Sequence, residues 1–367
     1  MAELRIFTTG GQETVLDEAT VQEFRNSVRG PLFHAGVAGY DEARTVWNGM
    51  IDHRPALIIR CTEVADVINA VRFARTHNIL VSVRGGDHSV AGHAVCEGGL
   101  MIDLSLMKGV RVDPDTKKAR AEGGARWRDF DHETQAFGLA TTGGTNSDTG
   151  IAGLTLGGGL GWLAGKYGLA CDNLLSANVV TADGRLLTAS ATENEDLFWG
   201  LRGGSGNFGI VTSFEYQLHP VGQVLAGMVI HPFKRAKEVL KFYSEFSTSI
   251  PDEVNTLGAL FTAPDGSRMV GITVCYNGSR ENGEKVLRPL REFGPPLEDR
   301  ISLMPYTELQ AMTDDLFPRG RQYYWKARLM NYLSDDAIAA MVEYFSAVPS
   351  PYTLMGFQQL GNAANRV

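Results

Sequence analysis

The run Val81-Ser82-Val83-Arg84-Gly85-Gly86-Asp87-His88-Ser89 sets two adjacent glycines between an apolar stretch and a histidine. Glycine has no Cβ, so the backbone N–H groups of paired glycines stand uncovered and form a nest that suits an anion such as a pyrophosphate. His88 lies at the lip of that nest, where a bound group would rest against it. A neutral imidazole there is a nucleophile and a hydrogen-bonding group. The same histidine in a solvated loop would do nothing, so the rest of the chain decides between the two readings.

Two further glycine-rich segments follow. One runs Gly143-Gly144-Thr145-Asn146-Ser147-Asp148-Thr149-Gly150-Ile151-Ala152-Gly153 and on to Gly157-Gly158-Gly159-Leu160-Gly161; the other is Gly203-Gly204-Ser205-Gly206-Asn207-Phe208-Gly209-Ile210-Val211-Thr212. Apolar and hydroxyl residues interleave with the glycines, unlike a flexible linker. No Gly-Lys-Ser/Thr follows, so neither is a P-loop. Gly157-Gly158-Gly159-Leu160-Gly161 lies deep in the chain rather than in a first βα turn, which excludes a Rossmann fingerprint.

Taken in order, these segments resemble the flavin domain of the vanillyl-alcohol-oxidase-type (PCMH-type) superfamily, and within it the berberine-bridge-enzyme-like FAD-linked oxidases. The likeness runs from Tyr40-Asp41-Glu42-Ala43-Arg44-Thr45-Val46-Trp47-Asn48 and Arg54-Pro55-Ala56 through the Arg84–His88 loop and Gly157-Gly158-Gly159. It continues in Lys166-Tyr167-Gly168-Leu169-Ala170-Cys171-Asp172-Asn173, Val179-Val180-Thr181-Ala182-Asp183-Gly184 and Asn207–Thr212, covering most of residues 40–220. The resemblance implies an FAD held by Arg84, Gly85, Gly86, Asp87, His88 and Ser89. It adds Thr145, Gly150, Gly153, Gly157, Gly158, Gly159 and Gly161, then Asn207, Gly209, Ile210 and Val211. It also implies one covalent bond, from His88 to the flavin 8α-methyl carbon.

Asp87 stands where the family more often has glycine; it could orient His88 or stand in solvent. Arg84 could pair with phosphate or with a structural carboxylate. Cys171 lies downstream of the place of the bridging cysteine in some relatives, which here reads Thr145-Asn146-Ser147-Asp148. It is expected to be a small buried apolar residue. Trp47, Trp127 and Trp199 are expected to pack.

The activity implied is a two-electron oxidation. Hydride passes from a hydroxyl-, amine- or phenol-bearing small molecule to the flavin, and molecular oxygen reoxidises it. A dehydrogenase that hands electrons to a carrier, an NADPH-dependent flavin reductase, and a flavin-binding protein without turnover are the alternatives. His88 counts against the reductase. Relatives on this scaffold handle sugars, alkaloids, phenols and polyketides, so the fold leaves the substrate open.

Length and composition bound the rest. A chain of 367 residues can hold two packed domains, and a net charge of −8 gives no support for nucleic-acid binding. The opening Met1-Ala2-Glu3-Leu4-Arg5-Ile6-Phe7 lacks a signal-peptide core, and no apolar run approaches a membrane span. Cys61, Cys96, Cys171 and Cys275 form no CxxC pair, so neither metal nor a disulfide framework is expected, and the reading is a cytoplasmic protein.

The elements that must position the glycine loops follow from periodicity. Residues 56–61 read as a strand, Thr62 as the cap of a helix with Val64, Val67, Ile68, Val71 and Ala74 on one face, and residues 80–83 as the returning strand. Strands are expected at 100–106, 110–112, 118–121, 177–181 and 185–189, helices at 127–137 and 194–201, and a strand with one exposed face at 210–218. Beyond His219-Pro220 the glycine loops end. Strands at 224–230, 256–262, 269–276 and 323–332 with helices at 235–247, 281–293 and 335–345 suggest an antiparallel sheet with helices on one face. The expected fold is α+β: an N-terminal segment (1–50) packing on a two-subdomain FAD-binding domain (51–222), then an incomplete α+β substrate domain (223–367). The resembling family continues past this point, so the catalytic base is expected beyond Val367. Tyr323, Tyr324 and Lys326 are the fallback candidates, on a stretch with Trp325 that could face a flavin or pack in a core.

Overall fold

Leu57–Arg60, Val64–Thr76 and Val81–Arg84 build the β-α-β unit that delivers the first glycine loop. The two strands are not neighbours: Leu100–Asp103 lies between them, parallel to both, and Leu32–Phe33 pairs antiparallel at the edge. Parallel strands covered on both faces read as continuous apolar runs, as Leu57-Ile58-Ile59 and Leu100-Met101-Ile102 do, and all six side chains are buried. The helix starts differently from expectation. Glu63 occupies the N-cap, and the Asp66 carboxylate accepts the amides of Thr62, Arg29 and Gly30. Burial works to raise the Asp66 pKa, but these hydrogen bonds outweigh it and hold it below its ordinary value.

This computed structural model describes residues 3–366, which fall into two units. The first takes the chain up to Leu160 together with Leu169–Pro220 and Gln310–Trp325. Beside the parallel sheet it contains a five-stranded antiparallel sheet ordered Leu186–Ser190, Leu174–Val180, Ile210–Gln217, Lys118–Glu122, Val110–Asp113. The hairpin around Ala182-Asp183-Gly184 forms as expected, with Val180 opposite Leu186. Ile210–Gln217 has no open face, contrary to expectation. It is the central strand, and Tyr216 packs against Trp127 and Phe130 of the helix Trp127–Gln135.

The second unit takes Gly161–Gly168, Val221–Leu309 and the chain from Lys326. Its antiparallel sheet pairs Gln223–Pro232 with Arg268–Tyr276, that strand with Val254–Thr262, and the last with Met355–Gln358. Helices Ala236–Ser247, Arg280–Glu292 and Asp335–Ser346 contribute Leu240, Leu287 and Phe345 to one core with these strands. A short 3-10 helix, Asn362–Asn365, lies near the end of the described residues.

Residues 323–332 form no strand. The backbone of Tyr323 finds its partners in a side chain instead: its N–H donates to Asn48 Oδ1 at 2.9 Å and its carbonyl accepts from Asn48 Nδ2 at 3.0 Å. Aromatic β-propensity is overridden where another group already satisfies the ladder positions.

Candidate functional site

The chain leaves the parallel sheet at Gly85. A Cβ on Gly85 would stand 3.1 Å from the Gly123 carbonyl oxygen, and one on Gly86 would stand 2.2 Å from Gly150 Cα. Close approach of two backbones, rather than an unusual φ, demands glycine at 86 and 150. Asp87 then takes the left-handed φ of 59° and turns the loop back. Among the described residues, the six amides from Gly85 through Val90 have no hydrogen-bond acceptor. Folded proteins pair almost all their buried amides, so a run of open ones fits an anionic ligand. The pyrophosphate of an FAD meets that requirement.

His88 keeps 17% of its side chain exposed, and its Nε2 lies 3.1 Å from Asp148 Oδ2. Its ring stacks with that of Trp47, centroids 4.7 Å apart and planes within 19°. Asp148 is held in turn by Arg126 and by Arg128, the latter at 2.9 Å. Burial pushes the Asp148 carboxyl up, but the His88 hydrogen bond and the two guanidinium charges prevail and hold it down at about 2. A permanent carboxylate only accepts, so the neutral His88 ring carries its proton on Nε2 and its lone pair on Nδ1.

Asp87 neither orients His88 nor stands in solvent. Its fully buried carboxylate receives Arg84 Nη2 at 2.6 Å and both terminal nitrogens of Arg319 at 2.8 Å. Arg84 gives its other terminal nitrogen to the Ala43 carbonyl at 2.7 Å and holds Nε 3.9 Å from the Asp103 carboxylate, so of its two readings the structure displays the carboxylate pairing.

Arg319 belongs to Gln310–Trp325, a segment that lies along both glycine loops. Asp314 binds the amide and hydroxyl of Ser147, Thr313 donates to the Thr145 carbonyl, and Trp47 Nε1 donates to the Phe317 carbonyl. Tyr323 stacks on Trp47 at 3.9 Å and gives its hydroxyl to Pro318 O, which makes it a packing residue. Trp325 meets Trp47 edge-on at 6.1 Å, while Tyr324 stays exposed.

The other expected residues divide. Gly158 and Gly159 adopt φ of 107° and 91°, and Gly153 has open space where a Cβ would stand, on the helix Ile151–Leu156 that Gly157 ends. Ser89 Oγ accepts the His93 amide within the first loop. A Cβ on Gly123 would stand 2.4 Å from the carbonyl oxygen of Val211, which follows Ile210 at the start of the central strand. Asn207 is exposed, its amide closing a turn on the Gly204 carbonyl ahead of Gly209. Gly161 belongs to the second unit. Burial pushes the Cys171 thiol up to about 11, as befits a protonated packing residue.

Asp148, Arg126, Arg128 and Arg319 were not foreseen as site residues. Asp148 had a signal, an acid inside the second glycine loop; Arg319 had none.

The FAD binding domain family matches residues 55–190, a span holding His88, Asp148 and the first two glycine loops. An FAD-linked oxidoreductase of Dictyostelium discoideum is 32% identical across 93% of this chain and 75% of its own length. This chain belongs to the FAD-linked oxidoreductases. Among these, the (R)-6-hydroxynicotine oxidase of Paenarthrobacter nicotinovorans is 34% identical over 88% of this chain and 72% of its own. A carbohydrate oxidase from Microdochium nivale superposes with a TM-score of 0.79 at 27% identity, covering 90% of this chain and 72% of the other. The chain is an FAD-binding oxidoreductase. Among the described residues no helix is long and apolar enough to cross a membrane.

Proposed function

We propose that this FAD-linked oxidoreductase carries its flavin on His88, through a single bond to the 8α carbon, and oxidises a hydroxyl- or amine-bearing small molecule with molecular oxygen as final acceptor. The supporting observation is the run of open amides from Gly85 to Val90 that contains His88, whose ring Asp148 and Trp47 hold. Those amides would donate to the pyrophosphate, and the Gly86–Gly150 contact would let the second loop close on the same ligand. Ser89, Thr145, Gly153, Gly157, Gly158 and Gly159 would line the cofactor from the two loops, with Ile210 and Val211 at the start of the central strand. Asn207 and Gly209 complete the proposed set. Arg84 and Asp87 would act by bracing the loop against Arg319.

When bound, FAD supplies a two-electron acceptor for the substrate's hydride, which dioxygen regenerates with release of hydrogen peroxide. The protein's own part is to bind, orient and exclude water. Four unpaired cysteines support a reducing, cytoplasmic setting. By name, the relatives act on a hydroxynicotine and on carbohydrates. A hydrogen peroxide assay across sugars and nitrogen heterocycles therefore tests the substrate class. A visible spectrum before and after acid precipitation tests the attachment: yellow protein in the pellet supports it, and flavin released to the supernatant rejects it.

A further inference from the structure

We infer that Asp148 is the positioning residue for flavin attachment, holding His88 so that Nδ1 and not Nε2 bonds to the 8α carbon. The inference rests on the covalent reading above. Three features of the structure carry it. Asp148 Oδ2 faces Nε2 at 3.1 Å, which blocks that nitrogen and leaves the lone pair on the other. Arg126 and Arg128 bind the same carboxylate, and its backbone N–H donates to Asn146 Oδ1 at 3.0 Å, so the acceptor is itself fixed. Trp47 stacks on the imidazole and sets the plane in which Nδ1 points. Both partners keep only 17% of their side chains exposed, where a charge-assisted hydrogen bond is less screened than in water.

Attachment replaces the imidazole N–H bond and one C–H bond of the 8α-methyl group with a single N–C bond. The two electrons set free pass by way of the flavin to dioxygen, which takes up the two protons and leaves as hydrogen peroxide. Asp148 contributes by keeping the reacting lone pair on one nitrogen and by holding the proton on the other until the bond has formed. It touches neither the 8α carbon nor the substrate, so it acts through His88.

The test loads flavin-depleted protein with FAD and follows flavin that survives acid precipitation against time. The flavin-bearing peptide is then isolated and its linked nitrogen identified by NMR. Wild-type protein is expected to attach its flavin completely and through Nδ1 alone. Asp148→Ala is expected to attach about 10–100-fold more slowly, the size of effect seen when a carboxylate that orients a metal-bound histidine is lost, and to give both linkages. Asp148→Asn still accepts the Nε2 proton without the charge; it should keep the Nδ1 linkage at an intermediate rate, and it guards against a variant that fails to fold. Noncovalent FAD binding and Tm, measured on each, separate attachment from folding. A folded, FAD-binding Asp148→Ala that attaches at the wild-type rate through Nδ1 alone overturns the inference, as does wild-type linkage through Nε2. Wild-type protein that leaves all its flavin in the acid supernatant overturns the covalent reading itself, and this inference with it.

Discussion

His88 and Gly86 carry different kinds of chemistry, and single substitutions separate them. His88→Ala removes the proposed nucleophile but leaves the open amides, whose donors are backbone groups. The variant is therefore expected to bind FAD reversibly and to release all of it on acid precipitation. Retained covalent flavin would move suspicion to another nucleophile. Gly86→Ala puts a Cβ against Gly150 Cα, a clash with backbone that no rotamer relieves. Overpacking of this kind costs about 1–3 kcal/mol, so a lowered Tm and loss of FAD loading are expected together. Gly153→Ala is the contrast, because nothing lies within 4 Å of the added methyl group. It should fold at least as well as wild type, so reduced FAD affinity in a protein of unchanged Tm would place Gly153 against the cofactor.

At the level of elements, the segment Gln310–Trp325 depends on buried polar ties to the rest of its unit. One joins Gln310 Nε2 to Asp131 Oδ2 at 3.0 Å on the helix Trp127–Gln135. Burial pushes the Asp131 carboxyl up to about 7, only partly opposed by the Gln310 hydrogen bond. A folded-state pKa above the unfolded value means that the native protein binds the extra proton. That contribution is full below the ordinary carboxyl value near 3.8 and is lost as pH rises through about 7. Asp131→Asn should therefore raise Tm clearly at pH 8, leave it nearly unchanged at pH 4, and flatten the slope between; equal effects at both pH values would contradict the argument. The second tie is the Asp87–Arg319 pair. Arg319→Ala leaves Asp87 with Arg84, so the loop should hold while the segment loosens, read as faster hydrogen exchange and proteolysis within residues 310–325. Asp87→Ala takes the nearer carboxylate from the buried Arg84, leaves it only Asp103 at 3.9 Å, and frees Arg319 as well, so it should be the more damaging of the two, by up to about 3–5 kcal/mol for a broken buried pair.

For the whole molecule, the two units are discontinuous in sequence, and this decides which fragments can stand alone. The second unit includes Gly161–Gly168, where Lys166 Nζ donates to the Asn277 carbonyl and Gly165 lies against the backbone of Asp252 and Val254. A fragment of residues 221–367 lacks that insert and carries Gln310–Trp325, whose partners are in the other unit's sequence. It is expected to be poorly soluble and to show no cooperative melting transition. A sharp melt of the isolated fragment would show that the insert contributes little.

Local pattern made most elements legible: the β-α-β unit, the paired hairpins and the helices of the second unit lie within a few residues of where periodicity places them. The glycine loops could be picked out as candidates too, because a backbone without Cβ atoms shows in composition, and His88 was singled out by its place beside one of them. What tertiary structure alone decided is which groups meet. Asp87, adjacent to His88, turns to Arg84 and Arg319, while Asp148, 60 residues away, takes the imidazole. Glycine packing at 86 and 150 brings those two loops together, and no local spacing encodes an approach between distant backbones. Arg319 reaches Asp87 across 232 residues for the same reason. The aromatic run from Tyr323 has strand propensity but no strand beside it; the Asn48 side chain takes the ladder's place. Propensity is a property of the segment, whereas a strand also needs a neighbour to bond with, and only the folded chain supplies or withholds one.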